Sequence, residues 1–349
     1  MRGAEILCPS SDEELDRLLG TPSERLVEFF REQRIRRLAI LGIGGKIGVT
    51  LGIAASAAAE RARSGTEILG VSRFSDAAAR EKLERAGVRT SACDLLDADA
   101  VRALPDADAV IFMAGKKFGT SGDASLTWAM NAIAPVNAAT RYADARTVVF
   151  STGCVYPLEL AESGGCDEQC PPAPIGEYAQ SALARERIFE YQSRTAGTPV
   201  ALFRLNYAID LRYGVLHDIA TQVREGAPVD VAVRNFNCIW QGDVIERAIL
   251  SLALCASPPA IVNISGPETA ATAEVARYFA DAFGKKLVLT GQDRAASAGY
   301  LCDAGLSFQR FGYPSVPLRT MLRLTAEWIA RGGSSLGKPT HFQTTDGQF

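Results

Sequence analysis

Histidine is nearly absent from this chain, with only His217 and His341 among 349 residues. A tetrahedral site needs four nitrogen or sulfur ligands, and no stretch of this sequence gathers them, so no metal is expected. Long apolar runs are missing too. The most apolar stretch, Val49 to Ala59, is too short to span a bilayer and follows a run of glycines, which predicts a buried helix and no membrane partner. Nor is there an excess of basic charge: the net charge of −3 argues against nucleic acid as a partner. The opening, MRGAEILCPSSDEELD, turns acidic where a secretory leader would stay apolar, and the expected location is cytoplasmic. Eight cysteines are present but scattered, at 8, 93, 154, 166, 170, 238, 255 and 302, which suits reduced thiols better than a disulfide framework. Cys166 and Cys170 form the close pair, in the polar loop CDEQCPPAP.

What is present describes a globular α/β protein. Hydrophobic residues make up 47% and charged residues 22%, and the chain is long enough for one large domain or two moderate ones. Residues 1–36 carry two helix starts: Ser11 before Asp12-Glu13-Glu14, and Thr21 before Pro22, with Glu24 completing a capping box. From Arg37 onward, short apolar segments (RLAILGIGG, EILGVSRF, DAVIFMAG, TVVFST, VALFRLNYA) alternate with helical ones, including a helix over 178–194. Such alternation predicts a parallel sheet covered on both faces, a doubly wound Rossmann-type domain over 37–205. Residues 206–331 read as a smaller α/β lobe, with the chain crossing between the two, and 332–349 as a polar tail along the surface.

The segment Gly42-Ile-Gly-Gly-Lys-Ile-Gly48 joins the first strand to the first helix. Glycines at 42, 45 and 48 let backbone approach a pyrophosphate at the positive end of a helix and let that helix pack closely. Lys46 and Ile47 belong to the same turn, Lys46 as a solvated charge. At the end of the second strand, where an acidic residue would hold the ribose hydroxyls of NAD, the chain has Ser72 and Arg73. A hydroxyl and a guanidinium suit a 2′-phosphate, so NADP(H) is favoured over NAD(H). Asp94 and Leu95 follow the third strand, where a carboxylate meets an adenine amino group.

Taken in order, GIGGKIG (42–48), CDLLD (93–97), FMAGKKFG (112–119), Asn131 in WAMNAIAPVNAA, FSTGCVYP (150–157), DEQCPPAPIGEYAQS (167–181), FRLNYA (203–208), WQGDV (240–244) and NISGPE (263–268) resemble the extended short-chain dehydrogenase/reductase family. These are NAD(P)-dependent epimerases and dehydratases acting mostly on sugars, and the likeness runs from about Leu38 to Arg331. It implies that Thr152 and Tyr178 are the catalytic hydroxyl and phenol, that Asn206 and Trp240 face substrate, that Ala114 and Gly115 line the nicotinamide ribose, and that Asn131 supports them. It also implies a homodimer. On this basis Thr152 hydrogen-bonds the reacting oxygen of a small-molecule substrate and Tyr178 moves its proton.

Two departures stand out. The family's lysine four residues after the tyrosine, which holds the ribose and stabilises tyrosinate, is Ala182 here. Lys117 is the expected substitute cation, serving catalysis and substrate; Arg185, two turns beyond Tyr178, is the more distant choice. The arginine that grips a nucleotide diphosphate in related enzymes is replaced by Phe236, which points to a free sugar or sugar acid instead of a nucleotide sugar. Two other readings keep the cofactor and lose net redox turnover: a nucleotide-binding protein, and a lyase or isomerase with a tightly held cofactor.

Overall fold

The computed structural model describes residues 6–117, 122–292 and 297–347; Phe118 and Gly119 of the FMAGKKFG segment and the extreme ends of the extension and tail lie outside them. Helices α1 (Asp12–Gly20) and α2 (Glu24–Glu32) precede the sheet. Ser11 caps α1 as expected, but α2 is capped by Ser23, whose hydroxyl accepts from the Leu26 amide at 3.1 Å. Thr21 instead closes the preceding helix, donating to the Arg17 carbonyl at 2.6 Å, so the capping box read from the sequence starts two residues early.

Seven parallel strands form one sheet: β1 (Arg37–Leu41), β2 (Glu67–Ser72), β3 (Arg89–Ala92), β4 (Ala109–Phe112), β5 (Arg146–Thr152), β6 (Val200–Leu205) and β7 (Ala260–Ile264). Their spatial order is β7-β6-β5-β4-β1-β2-β3. Alternation along β1 sends Leu38 and Ile40 into a core with Leu51 and Ala55, and Ala39 and Leu41 into the opposite core with Ala138 and Phe189. The first core is roofed by α3 (Gly48–Ala62), against which α1 and α2 pack; α4 (Ala77–Arg85) follows β2. The second is covered by α5 (Ala98–Arg102), α6 (Ala124–Trp128), α7 (Ala134–Arg141) and the long α8 (Gly176–Ala196).

One wide turn interrupts the helix of α6 and α7. Pro135 has no amide hydrogen to offer the Asn131 carbonyl, and the Ala134 amide reaches Ala129 across a π-turn spanning Ala129–Ile133. The turn carries the buried Asn131.

The remaining helices, α9 (Val215–Glu225), α10 (Gln241–Leu250), α11 (Thr272–Phe283), α12 (Gly305–Phe311) and α13 (Leu318–Ala330), fall within residues 206–331, with three two-stranded ladders outside the main sheet. From the same stretch, β7 returns to edge the main sheet beside β6. Because β1 has β2 on one side and β4 on the other, a crevice opens at the carboxyl ends of β1 and β4, the switch point where doubly wound sheets bind ligands.

Candidate active site

The crevice encloses about 680 Å³. Its floor is the glycine turn. Gly42 has φ +91°, and a Cβ there would lie 2.6 Å from the Ala114 amide nitrogen, so Ala114 acts through its backbone, packed against the turn. A Cβ at Gly48 would lie 2.3 Å from the Ile43 carbonyl oxygen. Glycine alone meets both demands. Ile47, at the cap of α3, supplies no side-chain hydrogen bond; the Gly48 amide is taken by the Gly45 carbonyl at 3.1 Å, and the helix start keeps the partial positive charge that suits an anion. A close backbone approach beside an uncapped helix start fits a dinucleotide pyrophosphate.

Ser72 reaches this turn, its hydroxyl 2.8 Å from where a Cβ on Gly44 would be, and Arg73 beside it is exposed. Asp94 is exposed and accepts from the Leu96 amide at 3.0 Å, while Leu95 is buried in the sheet core; neither lines the enclosed crevice. Lys46 corrects its sequence reading. It is not a solvated charge, since its Nζ stands 3.4 Å from the centroid of the Tyr213 ring.

At the other end of the crevice, the last residue of β5 meets the first turn of α8. Thr152 and Tyr178 are hydrogen-bonded to each other, and the Cys154 amide donates to Thr152 Oγ1 at 3.2 Å. Burial pushes the Tyr178 phenol up to about 12; Cys154 adds to the rise, and Arg185 and the Thr152 hydrogen bond oppose it. Tyr178 is therefore a proton donor at neutral pH. Lys117 also comes here, with Nζ 5.6 Å from the Tyr178 ring centroid.

Behind this wall, the wide turn presents Asn131 to the end of β4. Its Oδ1 accepts from the Lys116 amide at 3.0 Å and from Arg185 Nη2 at 2.6 Å, and its Nδ2 donates to Ser181 Oγ at 2.9 Å. Asn131 is thus fully engaged with protein and lies beneath the crevice without lining it. Arg185 also donates to the Phe150 carbonyl at 2.7 Å, and a Cβ on Gly115 would lie 2.4 Å from its Nη2.

One expected substrate contact is corrected. Trp240 is 4% exposed, belongs to the main core and is not part of the crevice wall. Asn206 does line the wall, and its Nδ2 donates to Asn237 Oδ1 at 2.8 Å and the Tyr300 carbonyl at 3.0 Å, which ties the end of β6 to both. Phe236 is buried, with its ring edge toward Tyr207, and offers no contact to a diphosphate.

The tail does not simply lie along the surface. Leu336, Lys338 and Thr340 line the crevice, as do Tyr213 and Arg212. Sequence reasoning missed all five, since nothing in a polar tail or in DLRYG marks where it folds. Arg212 is clamped between Asp210 and Asp16, the latter reaching in from α1 and also pairing with Lys82. Among the described residues, no three or more His, Cys, Asp or Glu side chains are placed to hold a metal ion, and no helix is long and apolar enough to cross a membrane.

Residues 39–224, more than half of the chain, match the NAD dependent epimerase/dehydratase family. The chain belongs to that family. No curated protein matches it. Among solved structures, it resembles the UDP-glucose 4-epimerase of Thermotoga maritima bound to UDP-glucose (TM-score 0.69, 16% identity), with 85% of this chain and 99% of that one covered. A dTDP-glucose 4,6-dehydratase of Streptomyces venezuelae with NAD bound gives 0.70 at 21% identity, covering 84% and 97%. A UDP-glucuronic acid 4-epimerase of Bacillus cereus with UDP-glucuronic acid and NAD gives 0.69 at 17%, covering 84% and 99%. At these identities the likeness is one of fold.

Proposed function

We propose that this epimerase/dehydratase family member is an NADP(H)-dependent oxidoreductase or epimerase acting on a small carbohydrate that is not a nucleotide sugar, and that it works as a homodimer. The observation that carries the reading is the hydrogen-bonded pair of Thr152 and Tyr178 at the wall of a crevice whose floor suits a dinucleotide. When bound, the nicotinamide supplies hydride transfer. Thr152 orients the reacting oxygen, and Tyr178, protonated at neutral pH, donates to it as a carbonyl is reduced.

The comparison structures with nucleotide sugars bind a diphosphate; here Phe236 occupies the position where their relatives are expected to hold an arginine, and it is buried. Lys117 and Lys338 line the crevice, which favours a carbohydrate bearing a carboxylate. The comparison proteins named above that hold a dinucleotide hold NAD. For this chain the choice of NADP(H) is supported by Ser72 and the exposed Arg73.

The test is a screen of keto-sugars and sugar acids, following NADPH absorbance and sugar products. Tyr178→Phe is expected to lose about 100-fold or more in kcat. Binding should favour NADPH over NADH, with Arg73→Ala erasing most of the preference. Full activity in Tyr178→Phe would refute the assigned chemistry, and equal affinity for the two cofactors would refute the assigned phosphate contact.

A further inference from the structure

The guanidinium of Arg185 is unusual for a buried cation. The residue is 5% exposed, yet no carboxylate pairs with it among the described residues. Its neighbour Glu186 is committed to Arg204 through hydrogen bonds of 2.9 and 2.7 Å. The partners of Arg185 are neutral, the Asn131 amide oxygen and the Phe150 carbonyl, and its Nε is buried without an acceptor. An uncompensated buried charge is costly, and an anion forming close to it is stabilised by it.

The geometry shows where that charge would form. Gly115 lines the crevice, and the absence of its side chain admits Nη2 to within 2.4 Å of the Cβ position. Nothing bulkier than glycine separates the cation from the crevice floor there. Arg185 lies seven residues after Tyr178 on α8, about two turns, or roughly 10 Å of rise. The Arg185 arm runs back along the helix: its Nη2 bonds Asn131 Oδ1, and the same Asn131 amide donates to Ser181, three residues after Tyr178. Burial lowers the Arg185 guanidinium, with Tyr178 and Glu186 acting in the opposite direction.

The site where the resemblance places a lysine is closed to one. Ala182 is 0% exposed and packs with Val155, Tyr156, Cys166 and Cys302. A four-carbon ammonium arm has no room among them.

We propose that Arg185 is the positioning cation of this site, holding positive charge beneath Gly115 so that Tyr178 ionises more readily and keeps its register with Thr152. This rests on the reading of Tyr178 as the proton-transfer group. The competing cation is Lys117, which stands at the Tyr178 ring from the β4 side. The other titratable group acting on the phenol is Cys154, which raises it; Tyr213 is near enough to be raised by Tyr178 in turn.

The experiment measures ionisation, not turnover. A ring-fluorinated tyrosine, which ionises in an accessible pH range, is incorporated at position 178 and titrated by ultraviolet difference absorbance in the full-length protein. Arg185→Met is expected to raise the phenol by about one pH unit or more, as loss of a nearby opposite charge does. Arg185→Lys should recover part of the shift, and Lys117→Met should move it less than Arg185→Met. An unchanged titration in a folded Arg185→Met protein overturns the proposal, as does a larger shift in Lys117→Met. If Arg185→Met does not fold, Gly115→Ala asks the same question, because its methyl displaces the guanidinium: a raised phenol supports the role and an unmoved one overturns it. A purely packing role for Arg185 would lower thermal stability and leave the titration alone. Full activity of Tyr178→Phe would remove the functional reading without touching this measurement, so the two failures are distinguishable.

Discussion

A single side chain can report the electrostatics of a whole crevice, and Lys46 does so. Burial, then Lys338 and Lys117, bring its ammonium down to about 7, with Asp218 opposing. Between about pH 7 and the ordinary lysine value, the unfolded chain holds a proton at this position that the folded protein has released. Stability from this residue is therefore smallest below pH 7 and rises as pH climbs through that window. Near pH 7 about half of Lys46 is the neutral amine, roughly a thousandfold more than for a solvated lysine. With a limiting small acylating reagent at pH 7.5, Lys46 should label ahead of the exposed Lys285 and Lys286, as read by peptide mass spectrometry, and NADPH should slow its labelling. Labelling no faster than those two would show that the ammonium is not depressed.

Among the larger elements, the tail shows what sequence patterns conceal. The strands, the glycine turn and α8 were legible because their signals are local: alternating apolar runs, a fixed glycine spacing, a helical face. Residues 332–347 have no periodicity, and what fixes them lies far away in sequence. The Trp328 indole donates to the Ser334 carbonyl at 2.9 Å, and the Leu336 amide to the Arg212 carbonyl at 3.0 Å. The Thr340 amide and hydroxyl both donate to Asp218 at 2.6 Å. The same reason hid the reach of Arg185 and the direction of Lys46, whose residues were visible but whose side-chain paths depend on Gly115 and Tyr213. Bonds to a charged group contribute about 1.5–3 kcal/mol each, and the half-buried Asp218 accepts two. A chain ending after Gly333 should melt at a lower temperature and release NADPH at least about tenfold faster in stopped flow, equivalent to about 1.4 kcal/mol. An unchanged release rate would mean that the tail borders the crevice without closing it.

For the molecule as a whole, the open question is what covers the outer side of α7 and α8, which pack side by side. Ile133 is 52% exposed, Val136 47% and Tyr191 70%. Ile133 and Val136 are three residues apart and share one helical face, with Leu126 also exposed on the preceding α6. Single exposed apolar residues need no explanation, but a row of them on two adjacent helices matches a self-complementary contact across a two-fold axis, where each residue meets its counterpart. A stable interface of that kind buries about 800 Å² per partner, within reach of two paired helices. At micromolar concentration, light scattering should give twice the chain mass. Val136→Glu would place two carboxylates at the seam and is expected to yield a monomer with an unchanged circular dichroism spectrum. NADPH affinity should also stay within about twofold, because none of Leu126, Ile133, Val136 and Tyr191 lines the crevice and an effect confined to one site adds independently of the other. A wild-type protein that scatters as a monomer would leave this row of side chains without a partner of its own kind.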